Sequence, residues 1–255
     1  MTGSSVPQGR IPLDGKRILV TGAGSGIGRS VAEEAASFGA RVIAADLNRT
    51  AVDTLVASLG GEGHEALTMD VADATSVADA FAQLDATAGG LDCLVHAAGI
   101  WFTKDDGKVT RIADEVWART LAVNLTGTFL VCREAVRRME RDGSGAIVTL
   151  ASVAALTGWE KMVGYSASKG GVVAFTRALA MDCARKNIRV NCLCPGVVET
   201  AMTAPVLSYS QPKVLPIGRL GRPEEIARTV LFLCSDWASF TVGSVVVADG
   251  GFTAA

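Results

Sequence analysis

The sequence predicts an α/β protein: a doubly wound parallel sheet of about seven strands with helices on both faces. Short, almost continuously apolar runs recur along the 255 residues, and longer helix-like stretches separate them. Strands that are apolar throughout are typical of parallel sheets covered on both faces. Because no linker or change of composition divides the chain, we expect one domain over residues 13–255, after a flexible polar lead-in at 1–12.

The predicted elements alternate regularly from residue 16 onward. The strand segments are KRILVTG, ARVIAAD, HEALTMD, LDCLVHAAG, GAIVTLAS, IRVNCLCPG and SVVVADGG. Helices are predicted over residues 26–38, 48–59, 75–88, 115–141, 163–185 and 223–234. Glycine follows the first helix and proline begins the last, as is common at helix ends. Residues 200–220 show a weak pattern and are predicted to form a loop above the sheet.

Composition narrows the classes of function. The net charge of −2 offers no basic surface for nucleic acid or for an anionic membrane, and no apolar run is long enough to span a bilayer. The N-terminus lacks the apolar core of a signal peptide. Six cysteines in apolar surroundings, without metal-ligand spacing, favour reduced core thiols in a cytoplasmic protein and no metal site.

A glycine cluster, TGAGSGIG at residues 21–28, lies between the first strand and its helix. Gly22, Gly26 and Gly28 suit a tight turn, a close backbone approach and close helix–strand packing, and the helix N-terminus suits a pyrophosphate. A structural turn would use glycine too. The position between strand and helix nevertheless favours a dinucleotide site of the Rossmann type.

Two acidic residues follow later strands. Asp46 ends the second strand 18 residues after Gly28, where a carboxylate binds the adenosine ribose of NAD and repels a 2′-phosphate. Asp70 and Val71 end the third strand and are candidates to bracket the adenine. Both aspartates are also suited simply to cap the helices that follow them.

The segment SVAALTGWEKMVGYSASK, residues 152–169, carries the candidate chemistry. Tyr165 and Lys169 are four apart, which places them on one helix face. A phenol loses its proton near pH 10, and a nearby ammonium lowers that pKa towards a useful range. Ser152 would add a hydrogen-bond donor. A tyrosine and a lysine at this spacing are also common on solvated helix faces, so the pair alone is weak evidence.

Taken together, the motifs resemble the short-chain dehydrogenase/reductase family over nearly the whole chain. The resemblance is carried by TGAGSGIG, Asp46, HAAG at 96–99, Asn124 in LAVNLTGTF, Ser152 with YSASK, CPGVVET at 194–200 and VADGG at 247–251. It implies that Tyr165 is the general acid/base, that Lys169 lowers its pKa and that Ser152 polarises the substrate oxygen. Asn124 would hold a water that links Lys169 to solvent.

The implied cofactor is NAD. The residues expected to bind it are Gly22, Ser25, Gly26, Ile27, Gly28, Asp46, Leu47, Asp70, Val71, Ala97, Ala98, Gly99, Tyr165, Lys169, Pro195, Gly196, Val198 and Thr200. Members that prefer NADP often carry a basic residue where Ser25 stands. His96 departs from the family pattern, which often has Asn there, and we expect a structural role for it.

The expected reaction is the interconversion of a secondary alcohol and a ketone. An apolar substrate pocket is predicted from Trp101, Trp159, Met162, Met202 and Tyr209, which suits a cyclic alcohol, a diol or a sugar alcohol. The charged residues 104–108, among them Asp106, are predicted to form a solvated loop. Alternatives are an NADPH-dependent 3-oxoacyl-thioester reductase and a non-catalytic cofactor-binding regulator. By resemblance we expect a homotetramer.

Overall fold

The computed structural model describes residues 11–87, 90–206 and 215–254. Its seven strands are β1 (Arg17–Thr21), β2 (Arg41–Asp46), β3 (Glu65–Thr68), β4 (Cys93–His96), β5 (Gly145–Leu150), β6 (Ile188–Pro195) and β7 (Val245–Ala248). They form one sheet in the order β3-β2-β1-β4-β5-β6-β7, and every pairing is parallel. The predicted fold class and strand number are confirmed.

Helices cover both faces of this sheet. They are α1 (Gly26–Ser37), α2 (Arg49–Ser58), α3 (Ala74–Ala86), α4 (Asp114–Leu121), α5 (Gly127–Asp142), α6 (Val163–Cys183) and α7 (Pro223–Cys234). One apolar cluster joins α1, α2 and α7 to the sheet, and a second joins α3, α5 and α6 to the opposite face. Alternate residues of each strand supply the two clusters, as the twofold periodicity of a strand requires.

The helix predicted over 115–141 is interrupted. A π-helical turn, Ala122–Thr126, separates α4 from α5, and Asn124 lies within it. The side chain of Thr128 donates to the Asn124 carbonyl, at 2.6 Å between oxygens, and such bonds compete with the helical ladder. The sequence prediction missed this turn, since π-turns are rare and occur as single turns inside otherwise regular α-helices, frequently at functional sites.

The order of the strands determines where a ligand can bind. The chain proceeds outward from β1 through β2 to β3, and then returns to β4 on the other side of β1. Open α/β sheets bind ligands at such a reversal, beyond the carboxyl ends of the strands. The ends of β1 and β4, at Thr21 and His96, therefore mark the expected site.

Three further predictions concern the chain outside the sheet. Residues 1–10 of the predicted lead-in lie outside the described residues, whereas Ile11 packs against the first apolar cluster. All six cysteines lie in the described part of the chain, buried and free of disulfides. Within the described residues, no helix is long and apolar enough to cross a membrane.

Candidate active site

A cleft of about 400 Å³ opens at the carboxyl edge of the sheet. Every residue that the sequence analysis proposed for cofactor binding lines it, from Gly22 in the first turn to Thr200 after β6. Ser152, Tyr165 and Lys169 line it as well. The fold therefore gathers on one cavity residues that are up to 181 positions apart in the chain, from Gly22 to Thr203.

The glycine turn after β1 is built for close approach. A Cβ added at Gly28 would lie 2.2 Å from the Gly22 carbonyl oxygen, and one at Gly22 would lie 2.8 Å from the Ala98 backbone. The Ser25 side chain makes no capping hydrogen bond to α1, so the helix N-terminus faces the cleft without a side-chain acceptor. These features fit the pyrophosphate of a dinucleotide.

Asp46 holds the turn and also faces the cleft. Its Oδ2 accepts from the Gly24 amide at 2.9 Å, and its Oδ1 accepts from the Asn48 amide at 2.9 Å. The helix-capping alternative is not what the structure shows, because the Asn48 side chain caps α2. The Asp46 carboxylate thus lies at the cleft wall as a fixed negative charge.

Asp70 occupies the next strand end and pairs with a residue that the sequence analysis did not identify. Its Oδ1 accepts from the Ala72 amide at 2.9 Å, whereas Asp73 caps α3. The Arg119 guanidinium of α4 lies 3.7 Å from Asp70 Oδ2 and also lines the cleft. Nothing in the sequence around Arg119 distinguishes it from an ordinary solvated helix residue.

The candidate catalytic side chains meet where β5 ends and α6 begins. The Lys169 amine is buried, donates to the Leu150 carbonyl at 2.7 Å and lies 5.8 Å from the centre of the Tyr165 ring. Burial lowers the pKa of Lys169 to about 8. Burial also raises the pKa of Tyr165 to about 12, and a hydrogen bond with Ser152 opposes that rise.

Burial outweighs any lowering of the Tyr165 pKa in the protein alone, and the predicted effect of Lys169 on that pKa stays a prediction. Desolvation disfavours the charged form of both groups, so it raises the pKa of the Tyr165 phenol and lowers the pKa of the Lys169 amine. Sequence spacing places the two side chains on one helix face but says nothing of how far burial removes them from water.

Asn124 lies behind this pair, fully buried. Its side-chain nitrogen donates to the Ile100 carbonyl at 2.9 Å and to the Ser168 hydroxyl at 3.0 Å, and its Oδ1 accepts from the Ile100 amide at 2.8 Å. A Cβ on Gly99 would lie 3.3 Å from both Asn124 Oδ1 and the Lys169 amine. The predicted water relay therefore depends on the remaining acceptor capacity of Oδ1 and stays a prediction.

His96 lies buried at the end of β4, and its Nδ1 is 2.9 Å from the Thr21 hydroxyl. Burial and the nearby Lys169 ammonium lower the pKa of His96 to about 3. Burial thus favours the neutral form of the imidazole. Its bond to β1 fits the structural role that we expected for it.

The predicted substrate pocket is only partly assembled at this cleft. Met202 lines the cavity, whereas the lining residues do not include Trp101, Trp159 or Met162, and Tyr209 lies outside the described residues. The Trp159 ring stacks on Phe252 with centroids 5.1 Å apart. Position at a strand end predicts the cofactor-binding residues of the cleft well, because all parallel strands end at the same edge of the sheet. The side chains of the loops have no comparable positional rule, so the substrate pocket was predicted less well.

The prediction of a solvated 104–108 loop is wrong for one residue. The side chain of Asp106 is buried, with 4 % of the residue exposed, and accepts hydrogen bonds from the first turn of α6. Charge and neighbouring lysines suggested solvent, because the sequence does not show that a helix N-terminus lies opposite. Besides Arg119, the lining residues that were missed are Met69, Val123, Leu150, Ala151, Ala201 and Thr203.

Comparison with known proteins agrees with this geometry. The family model described as enoyl-(acyl carrier protein) reductase, of the short-chain alcohol dehydrogenase type, matches residues 22–253. The chain is 41 % identical over 247 residues to D-threitol dehydrogenase of Mycolicibacterium smegmatis, covering 94 % of each chain. The chain belongs to the short-chain dehydrogenase/reductase family.

Two other relatives show the breadth of this family. The 3-oxoacyl-acyl-carrier-protein reductase of Aquifex aeolicus is 40 % identical over 247 residues, covering 94 % of this chain and 98 % of that protein. A short-chain type dehydrogenase/reductase from Mycobacterium marinum superposes with a TM-score of 0.89 at 33 % identity, covering 95 % of this chain and 97 % of that one. The chain is accordingly an oxidoreductase that uses a nicotinamide cofactor.

Proposed function

We propose that the protein is an NAD-dependent dehydrogenase that interconverts a secondary alcohol and a ketone. The observation that carries the proposal is that one cleft joins the Asp46 carboxylate to the Ser152, Tyr165 and Lys169 side chains. Asp46 ends β2 and Ser152 follows β5, three strand spacings apart, or about 14 Å. An extended dinucleotide suits such a span, with its adenosine ribose near Asp46 and its reactive ring near Tyr165.

The residues at the β5 end divide the chemistry between them. The residues that line the cleft would hold a nicotinamide, which would supply the hydride acceptor or donor. Tyr165 takes the proton from the substrate hydroxyl, or donates it to the carbonyl oxygen in the reverse direction. Ser152 donates a hydrogen bond to the same oxygen and stabilises its developing charge. The buried Lys169 amine, held by the Leu150 carbonyl, lines the same cleft and would bind the nicotinamide ribose.

The preference for NAD is proposed from charge. A carboxylate fixed by two backbone amides cannot easily move away from a 2′-phosphate, and juxtaposed like charges cost several kcal/mol. Asp46→Asn removes the charge and keeps a side-chain acceptor, whereas Asp46→Ala removes both. Both variants should raise the ratio of kcat/KM with NADP to kcat/KM with NAD by at least about tenfold. Asp79→Asn, on the exposed face of α3, is the matched charge control and should leave the ratio unchanged.

The proposed substrate is an alcohol with a compact apolar or polyol body. The cleft that Tyr165 lines is also lined by Ile100 and Met202, and the relative at 41 % identity is named for D-threitol. A panel of cyclic alcohols, vicinal diols and sugar alcohols with NAD, followed by NADH absorbance, tests this choice. The matched ketones with NADH test the reverse direction. Absence of turnover with every alcohol and ketone would refute the proposal.

A 3-oxoacyl-thioester reductase is the second candidate, supported by the relative at 40 % identity with that name. Reduction of acetoacetyl-CoA with NADPH at a higher kcat/KM than any alcohol with NAD would establish it instead. A non-catalytic regulator is distinguished by the same assays, since it would bind NADH without turnover.

We also propose that the protein works as a cytoplasmic homotetramer. Phe129 of α5 is 43 % exposed and meets Phe175 of α6 edge to face at 6.4 Å, so the two helices share an aromatic surface that suits subunit contact. Six buried free thiols suit a reducing compartment. Light scattering coupled to size-exclusion chromatography measures the mass directly, and a monomeric mass would refute the assembly.

A further inference from the structure

The loop that follows β4, residues 100–106, touches the catalytic helix α6 through several side chains. We call this segment the β4 loop. At its start, the Ile100 backbone is bonded to the Asn124 amide through both N–H and C=O. Next, the Trp101 ring lies against the Tyr165 ring, with centroids 5.7 Å apart and planes tilted by 35°. At its end, Asp106 reaches the backbone of α6.

Asp106 caps α6 from outside the helix. Its Oδ1 accepts from the Gly164 amide at 3.0 Å, and its Oδ2 accepts from the Tyr165 amide at 2.8 Å. The residue at the N-cap position, Met162, makes no side-chain capping bond. The first amides of a helix need such acceptors, and a carboxylate there also interacts favourably with the helix dipole.

The carboxylate is itself held in place. The Asp106 amide donates to the Phe102 carbonyl at 2.7 Å, which closes a turn within the β4 loop. Gly164 allows the close approach, because a Cβ there would lie 3.1 Å from Ile112 Cδ1 and 3.4 Å from Asp106 Oδ1. The contact is therefore tightly packed on both sides, in contrast to a surface carboxylate that reaches a helix end through solvent.

We propose that Asp106 is a positioning residue that sets the place of Tyr165 in the active site. Asp106 fixes the Tyr165 backbone through the hydrogen bond that it accepts from the Tyr165 amide, while Trp101 of the same loop restricts the Tyr165 ring. An error of about 1 Å in a reacting group costs about a hundredfold in rate. This inference rests on the proposed function, in which Tyr165 is the acid/base.

Kinetics separate positioning from general stabilisation. Asp106→Ala removes both acceptors, and Asp106→Asn keeps one. We expect kcat to fall at least tenfold in the alanine variant and by an intermediate factor in the asparagine variant, with the Kd for NADH within about twofold of wild type in both. Asp105→Ala, at the exposed neighbouring position, should keep kcat within about twofold.

Two kinetic outcomes would overturn the inference. One is an alanine variant whose kcat stays within twofold of wild type. The other is a parallel loss of kcat and NADH affinity in both variants, which indicates partial unfolding.

Hydrogen exchange tests the cap without any turnover. The Gly164 and Tyr165 amides should exchange at least tenfold faster in Asp106→Ala than in wild type, whereas amides of α7 should be unchanged. If wild type turns over no alcohol or ketone, the proposed function fails, and unchanged exchange at these two amides overturns the positioning inference separately. Faster exchange with unaltered kcat would overturn it as well.

Discussion

Replacing the buried lysine should change how the stability of the fold depends on pH. Lys169 has its pKa lowered from 10.5 to about 8 by burial, so the folded state binds a proton there less readily than the unfolded state. A group with a depressed folded pKa loses stability as pH falls from its unfolded towards its folded pKa. The shift of about 2.5 units corresponds to about 3 kcal/mol at pH 7.5 and about 1 kcal/mol at pH 10.

Lys169→Met removes this titration and keeps an unbranched apolar stem. The variant loses the hydrogen bond to the Leu150 carbonyl at every pH, a cost of about 1–3 kcal/mol. The informative quantity is therefore the difference between the two pH values. The unfolding free energy of the variant minus that of wild type should fall by about 2 kcal/mol from pH 7.5 to pH 10.

Urea unfolding followed by tryptophan fluorescence, at one protein concentration and both pH values, measures this difference. Lys104→Met is the control, since Lys104 is exposed and its loss should leave the pH dependence parallel to that of wild type. If the curves for Lys169→Met and wild type also run parallel, the ammonium is not desolvated in the fold and our account of the site is wrong.

Three further outcomes follow from the same contacts. Tyr165→Phe should abolish turnover while the Kd for NADH, read by fluorescence, stays within about twofold; persistent turnover would remove Tyr165 as acid/base. Burial lowers the pKa of His96 from 6.5 to about 3, so wild type should lose about 2–3 kcal/mol of unfolding free energy between pH 7 and pH 4.5. The His96→Asn variant should lose less unfolding free energy over the same pH range, as measured by urea titration. Gly28→Ala should abolish NADH binding or folding, since its Cβ would lie 2.2 Å from the Gly22 carbonyl, whereas Gly60→Ala, with open space around it, should change neither.

The cofactor-binding residues of the cleft could be predicted because their positions depend on the geometry of the backbone. Parallel strands end at one edge, and a glycine turn between strand and helix has few other uses, so Gly28 and Asp46 could be placed from their positions in the sequence. The number of strands and their parallel direction followed from the alternation of apolar runs with helices. Lys169 could likewise be placed beside Tyr165 by helix spacing alone.

The remaining features depend on contacts between distant segments. Asp106 and Tyr165 are 59 residues apart, and nothing local marks the aspartate as a helix cap. Arg119 lines the cleft and lies 3.7 Å from Asp70, a contact between distant segments that no periodicity encodes. The direction of the Tyr165 pKa was missed for a related reason, since desolvation is set by the whole surrounding fold.

The opposite pKa shifts of Tyr165 and Lys169 bear on how this site works. Burial raises the pKa of Tyr165 and lowers the pKa of Lys169, so without a cofactor the Tyr165 phenol is protonated near neutral pH. That form is the one needed to reduce a ketone. Oxidation of an alcohol requires the phenolate, which positive charge near the ring stabilises, and oxidised nicotinamide carries such a charge. If Tyr165 is the acid/base that we propose, the rate of alcohol oxidation should rise with pH more steeply than the rate of ketone reduction falls.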